Sequence, residues 1–418
     1  MRALAIVDGE HYAPVVRDAL AELPYEFAAA VLVGGTEKLR GEEDYGIPLA
    51  TDVEAAIASY HPEVVVDLSD EPVLGPVERF ALASRVLAQG VPYIGADFRL
   101  DPPERLSFEL PSIAVVGTGK RVGKTAVTGH LVRLVATTRR VVVVAMGRGG
   151  PSEPEVITMA PTVEALVELS RSGRHAASDH FETAALTGVE TIGCRRCGGG
   201  LAGGVASSNV AAGAAVAVSL DPDLVVFDGS GAAIPPIAAS RTIVVVGGHQ
   251  DAAVAAGYLN SYRLLLADLV LVTMAEPGSD WESVGRAVAG VVRPDVAVVG
   301  TILRPRPTVD VRGRSVAYFS TAPGEAHATL AAHLTDAHGA HVVFISGNLA
   351  NRDVLRRELA EIDAEVFLIE LKAAAVDVVA EAALVKGAEV VLAANDVVAV
   401  DGDVDLDETL LEVAKFVL

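Results

Sequence analysis

Short runs of β-branched residues alternate with longer Ala- and Leu-rich segments along the whole chain, the pattern of βα units around a mostly parallel sheet. In the first hundred residues "RALAIVD", "FAAAVLVGG", "EVVVDLS" and "PYIGA" read as strands, and 13–23 and 77–89 as helices. They predict a small Rossmann-like α/β domain over 1–108. The stretch "DFRLDPPERLSFELPS" has no periodicity and reads as a linker. After it, "IAVVGT", "RRVVVVAM", "DLVVFD", "RTIVVVGG", "DLVLVTM" and "DVAVVGT" are nearly continuous in apolar residues, as strands buried on both faces should be. They predict a second domain over 109–302. Beyond "LRPRPTVDVRGR", the runs "VAYFS", "HVVFIS", "EVFLIEL" and "EVVLAA" predict a third α/β unit over 303–418, with an acidic, solvated end from Asp401 to Glu412.

One of the buried strands runs into "GTGKRVGKT", residues 117–125. A phosphate-binding loop needs a strand, a glycine-rich turn with inward amides, a Lys for the β and γ phosphates and a hydroxyl for Mg2+. Gly123, Lys124 and Thr125 supply the closing triplet. Gly117, Thr118, Gly119, Lys120, Arg121, Val122 and Ala126 complete a nucleotide cradle. The first glycine of the usual spacing would fall at Thr118, whereas Gly117 lies one residue earlier, so this loop is one residue longer than the common form. The longer form resembles the loop of dethiobiotin synthetase and its relatives, ATP-dependent ligases that activate an oxyanion by phosphorylating it. A glycine-rich turn with a lysine at a helix start is the bland alternative.

A second element is an acid at the end of another buried strand, placed to hold Mg2+ with Thr125. Asp228 in "PDLVVFDGSGAAIPP" meets that need, and Gly229 and Ser230 allow backbone amides to approach a phosphoryl group. An Asp capping a helix is the other reading. Lys124, Asp228, Lys120 and Arg121 are the candidate catalytic residues, and Thr125 and Asp228 the candidate metal ligands. The fold class is therefore α/β: a Rossmann-like domain, a P-loop NTPase domain with a mostly parallel sheet, and a C-terminal α/β extension.

Composition narrows the partners. The 418 residues are 51% hydrophobic, enough for two or three cores, and carry 33 Lys and Arg against 55 Asp and Glu, a net charge of -22. Such a surface repels nucleic acid and anionic membranes, which leaves small anions as the better partners. Against that background, Lys120, Arg121, Arg148 in "AMGRGGP" and Arg195 and Arg196 in "GCRRCGGGLAGG" form a basic set in glycine-rich loops. Guanidinium groups hold phosphate and carboxylate bidentately. Cys194 and Cys197 are the two cysteines; with His175 and His180 upstream they could form a zinc site, or act as a redox pair, although the glycines and arginines around them favour a tight substrate-facing turn. So few cysteines, and a start without the features of a signal peptide, make a reducing cytoplasm the default. The uncharged run 201–220 is too weakly hydrophobic for a membrane span.

The combination of "AIVDGEHYAPV", "VVGTGKRVGKTAV", "VVAMGRGGP", "CRRCGGGLAGG", "VFDGSGAAIPP" and "ELKAAAVDVVAEAA" resembles the cyclic 2,3-diphosphoglycerate synthetase family nearly end to end. The resemblance implies an ATP- and Mg2+-dependent ligase, with K+ a further cofactor. It would close 2,3-diphosphoglycerate into its cyclic anhydride and release ADP and phosphate. On that reading Arg148, Arg195, Arg196, Gly229, Ser230 and Lys372 are the residues to hold substrate, Lys372 having a surface role as its alternative. A homodimer is compatible with the sequence. The rivals are another P-loop ligase or kinase for a small phosphorylated acid, and a nucleotide-driven switch. The chain lacks the Asn-Lys-x-Asp or Thr-Lys-x-Asp segment with which a GTP switch reads its base.

Overall fold

The computed structural model describes residues 1–35, 37–39, 41, 44–71, 73–172, 178–371 and 375–415. Two α/β sheets dominate. The N-terminal sheet has six strands in the order Leu49–Ala50, Glu26–Leu32, Arg2–Val7, Val64–Asp67, Tyr93–Ile94 and Arg99–Leu100. All its pairings are parallel except the last. Strand order reverses beside Arg2–Val7, as in a Rossmann-type unit. Its helix Pro76–Ala88 lies against the helix Asn260–Leu265 of the next unit, and Ser84 donates to the Tyr258 carbonyl at 3.2 Å. Ala114, Val116 and Tyr262 belong to the same buried cluster as the N-terminal residues Leu82, Val86 and Tyr93. The N-terminal unit is thus packed on one face of the phosphate-loop strand.

The large sheet has 13 strands. Its centre runs Glu190–Cys197, Val141–Gly147, Leu224–Asp228, Ser112–Gly117, Arg241–Gly247 and Leu269–Thr273, all parallel. Every residue of Ser112–Gly117 and Val141–Gly147 is buried, which explains their unbroken apolar character. Alternate residues face opposite cores: Ile113 and Val115 meet Val127, Leu131 and Val135 of the helix Lys124–Val135, while Ala114 and Val116 meet the N-terminal unit.

The strand Ala297–Pro307 passes the sheet from the second unit to the third. Residues 297–300 pair in parallel with Leu269–Val272, and 301–307 pair antiparallel with Glu389–Ala399. Beyond it lie Val366–Glu370, Ser315–Phe319 and His341–Ser346, all parallel.

Three local expectations change. The linker contains the short strand Leu106–Ser107, which pairs with Ile237–Ala238, so the segment is tied to the second unit. The acidic end is a packed helix, Leu406–Val413: Asp405 caps it by accepting from Glu408 N at 2.9 Å, and Leu406 and Leu410 are buried against the phosphate-loop helix. Its acids lie on the outer face of an amphipathic helix, which a count of charges alone cannot distinguish from a solvated edge. The cysteine segment is a strand, Glu190–Cys197, rather than a turn. The run 201–220 holds the helix Val210–Ser219, and among the described residues no helix is long and apolar enough to cross a membrane.

Candidate active site

The loop 117–125 leaves the strand Ser112–Gly117 and enters the helix Lys124–Val135 at the carboxyl edge of the sheet, where open α/β folds hold ligands. Gly123 precedes the helix with φ 80°, the left-handed region that glycine adopts without a steric penalty. At the other end of the loop, a Cβ on Gly117 would stand 2.8 Å from the Gly231 carbonyl oxygen, so the loop and the "DGSG" segment can meet only with glycine there. Lys120 and Arg121 are exposed near the loop's tip, Arg121 with a left-handed φ of 62°. Val122 is buried, and its carbonyl accepts from the Thr273 hydroxyl at 2.7 Å. Thr125 and Ala126 lie in the first helical turn, and both line a small cavity with Arg133, Glu182, Thr183 and Asn395.

Lys124 Nζ donates to Asp228 Oδ1, and the two side chains are 10% and 2% exposed. A buried ion pair thus sets a cation and an acid side by side at the end of the loop. Gly229 N donates to Val115 O at 3.0 Å, which ties the "DGSG" segment to the phosphate-loop strand. Ser230 is buried, and its carbonyl accepts from Arg196 Nη2 at 2.8 Å, while Arg196 Nη1 donates to Gly198 O at 2.9 Å. Arg196 Nε is buried and has no acceptor among the described residues. Burial pushes this guanidinium below its ordinary value, and the neighbouring charge of Arg148 adds to the effect. A buried donor without an acceptor is costly, and an anionic ligand is the natural remedy.

One acid at this site has no clear signal in the sequence. Asp179 opens the helix Asp179–Thr187, and a Cβ on Gly147 would stand 3.4 Å from its Oδ2. Burial raises its carboxyl above the ordinary range and Asp228 raises it further, against the opposing pull of Lys124, Arg148 and Arg196. Asp179 therefore lies within electrostatic reach of a second carboxylate, an ammonium and two guanidiniums. A serine and an aspartate ahead of an apolar run is the only trace in the sequence, and it reads as an ordinary helix start.

Arg148 and Arg196 thus join the Lys124–Asp228 pair. Arg195 is exposed, and strand alternation sends its side chain to the opposite face from Arg196. Lys372 and His175 lie outside the described residues. Cys194 is buried, with its Sγ 2.3 Å from where a Cβ on Gly213 would stand, whereas Cys197 is exposed. Burial pushes the Cys194 thiol up to about 12, far from a reactive or metal-binding thiolate. His180 is buried under Gly193, and among the described residues no cluster of three His, Cys, Asp or Glu side chains could hold a metal. The zinc and redox readings of the cysteines therefore find no support in this geometry.

Residues 2–101, 112–302 and 307–396 match, in turn, the N-terminal, P-loop and C-terminal domains of cyclic 2,3-diphosphoglycerate synthetase. A protein of that name from Rubrobacter xylanophilus is 49% identical, with 99% of this chain and 97% of that protein aligned. Its namesake from Thermococcus gammatolerans is 45% identical, covering 99% of this chain and 98% of its own length. The one from Methanothermus fervidus is 39% identical over 100% of this chain and 97% of that protein. Identity of this order over all three parts, in chains of nearly equal length, places the protein in the cyclic 2,3-diphosphoglycerate synthetase family.

Proposed function

We propose that the protein is an ATP-dependent ligase that closes 2,3-diphosphoglycerate into its cyclic anhydride. The observation that carries this reading is the buried Arg196 Nε, without an acceptor among the described residues, on a guanidinium bound to Ser230, two residues from the Asp228 that pairs with Lys124: a phosphate loop near a second site suited to an anion. In an otherwise acidic protein, such a site suits a substrate with two phosphates and a carboxylate.

Two phosphates do not condense in water, because neither carries a leaving group. Transfer of the γ-phosphoryl group from ATP to one substrate phosphate makes that phosphorus an anhydride. An oxygen of the neighbouring phosphate then attacks it, the ring P–O–P bond forms, and orthophosphate leaves with the electron pair. Lys124 and the loop amides bind the ATP phosphates and withdraw charge as the bond to ADP breaks. Arg148 and Arg196 hold the two substrate phosphates together, which replaces a chance encounter by a fixed one. Lys120 and Arg121 face the transferred group from the tip of the loop; Arg195 and Lys372 are secondary contacts, and Gly229 and Ser230 bring backbone to the substrate.

The Asp228 and Asp179 carboxylates and the Thr125 hydroxyl are hard oxygen donors of the kind Mg2+ takes, and the repulsion that Asp228 exerts on Asp179 is what a divalent cation relieves. Mg2+ held by Thr125 and Asp228, with Asp179 facing it, would neutralise phosphoryl charge and orient the transferred group. On this reading the units are 1–108, 109–302 and 303–418, and the enzyme works in the cytoplasm. Supplied with ATP, Mg2+ and K+, the protein should release ADP and orthophosphate in equal amounts once 2,3-diphosphoglycerate is added. ADP without orthophosphate would contradict ring closure.

A further inference from the structure

The extra residue of the phosphate loop is held by a side chain from the turn that follows a neighbouring strand. Gln250 follows the strand Arg241–Gly247, which pairs with Ser112–Gly117. Its Oε1 accepts from the Thr118 hydroxyl at 2.6 Å and from Gly247 N at 3.0 Å. Thr118 N also donates to Val245 O at 3.0 Å, so Thr118 is bound to this strand through backbone and side chain, and it is 5% exposed. A backbone N–H can only donate, so the Gln250 atom facing Gly247 N has to be the oxygen, and the orientation of the amide is settled. Nε2 must then point the other way. There it faces Gly119, where a Cβ would stand 3.1 Å from it, and no hydrogen bond from Nε2 occurs among the described residues.

We propose that Gln250 is a phosphate-binding residue, whose Nε2 donates to a phosphoryl oxygen of the nucleotide held in the loop. This rests on the nucleotide reading of the loop given above. The arrangement divides the two ends of one amide. The oxygen positions the lengthened loop, and the nitrogen adds a fixed donor that the loop's own backbone does not supply. Gly119 leaves the space through which the donor reaches the cradle.

Gln250→Glu separates the two roles, because a carboxylate still accepts from Thr118 and Gly247 but places negative charge where the donor stood. Calorimetric titrations with MgATP and with inorganic tripolyphosphate, together with the melting temperature of the ligand-free protein, read the difference. The expected result is a melting temperature close to wild type and an affinity for both ligands lower by at least about tenfold, the size of one lost hydrogen bond to a charged group. Gln250→Met, which has neither donor nor acceptor at comparable volume, provides the second variant: it should weaken both ligands too and also lower the melting temperature. Wild-type affinity in the two variants would overturn the proposal. So would a loss confined to ATP with tripolyphosphate unaffected, since the contact would then be to the nucleoside. If the wild-type protein itself binds neither ligand, the nucleotide reading is what fails, and this proposal falls with it.

Discussion

Replacing Asp396 by Asn should loosen the joint between the phosphate-loop helix and the C-terminal sheet, with a pH dependence that identifies the cause. Asp396 Oδ1 accepts from Arg133 Nη2 at 2.9 Å, and His130 Nδ1 and Arg306 Nη1 lie 3.8 and 3.6 Å from the same oxygen. Burial alone would raise its carboxyl, but His130, Arg133 and Arg306 outweigh it and bring the pKa from 3.8 to about 2. A shift of this size is worth about 2 kcal/mol of stability, and at 27% exposure the side chain is shielded enough for the figure to stand. The folded pKa is depressed, so the contribution is complete above the unfolded value and is lost as pH falls through the folded one. It amounts to about 2 kcal/mol at pH 5 and about 1 kcal/mol at pH 3. Burial alone would lower His130, but Asp396 and Asp407 hold it above its ordinary value, so its contribution fades only as pH rises beyond that range. Between pH 3 and 5 the imidazole is charged in both states and drops out of the comparison. Urea unfolding of wild type and Asp396→Asn at the two pH values should show a gap that roughly halves on acidification. A gap that is absent at pH 5, or equal at both values, would refute the reasoning.

Further outcomes follow from the site. Lys124→Ala should abolish ATP turnover, and because it leaves Asp228 buried without its partner it should also cost about 3–5 kcal/mol of stability in the ligand-free protein; the double variant Lys124→Ala, Asp228→Asn should regain much of that stability in a thermal melt while staying inactive. Burial, and next to it Asp228, raise the Asp179 carboxyl above its ordinary value, so protons compete with Mg2+ there at a higher pH than at an ordinary carboxylate. The Mg2+ concentration for half-maximal turnover should therefore increase as pH is lowered in wild type, and Asp179→Asn should flatten that dependence and raise the requirement. Cys197→Ser should leave activity and melting temperature unchanged, with no stoichiometric zinc by elemental analysis; a loss of bound zinc on substitution would revive the metal reading of the cysteines.

What could be read from the sequence was what depends on neighbours in the chain. The phosphate loop, its flanking strand and helix, and the strand-end Asp228 are local patterns, because their chemistry needs a particular backbone path over a few residues. The alternating strands and helices gave the class of fold for the same reason. Asp179 and Gln250 were not legible, since each reaches the site only through strand order: Gln250 meets Thr118 across 132 positions of the chain. The acids of the end are solvated as expected, but its packed inner face was missed because the charges were counted without their period, although Leu406 and Leu410 already marked that face. The tight turn expected at the cysteines is a strand instead, and its period also leaves the zinc and redox alternatives without geometric support. On a strand, positions three apart face opposite ways, so Cys194 went into the core and Cys197 to solvent.

The central claim is ring closure at the expense of ATP, and phosphorus NMR observes it directly. With protein, ATP, Mg2+, K+ and 2,3-diphosphoglycerate, the two phosphomonoester signals of the substrate should give way to the resonances of a cyclic anhydride, while ADP and orthophosphate grow in equal amounts. Consumption of ATP with only a linear, further phosphorylated acid as product would contradict the account.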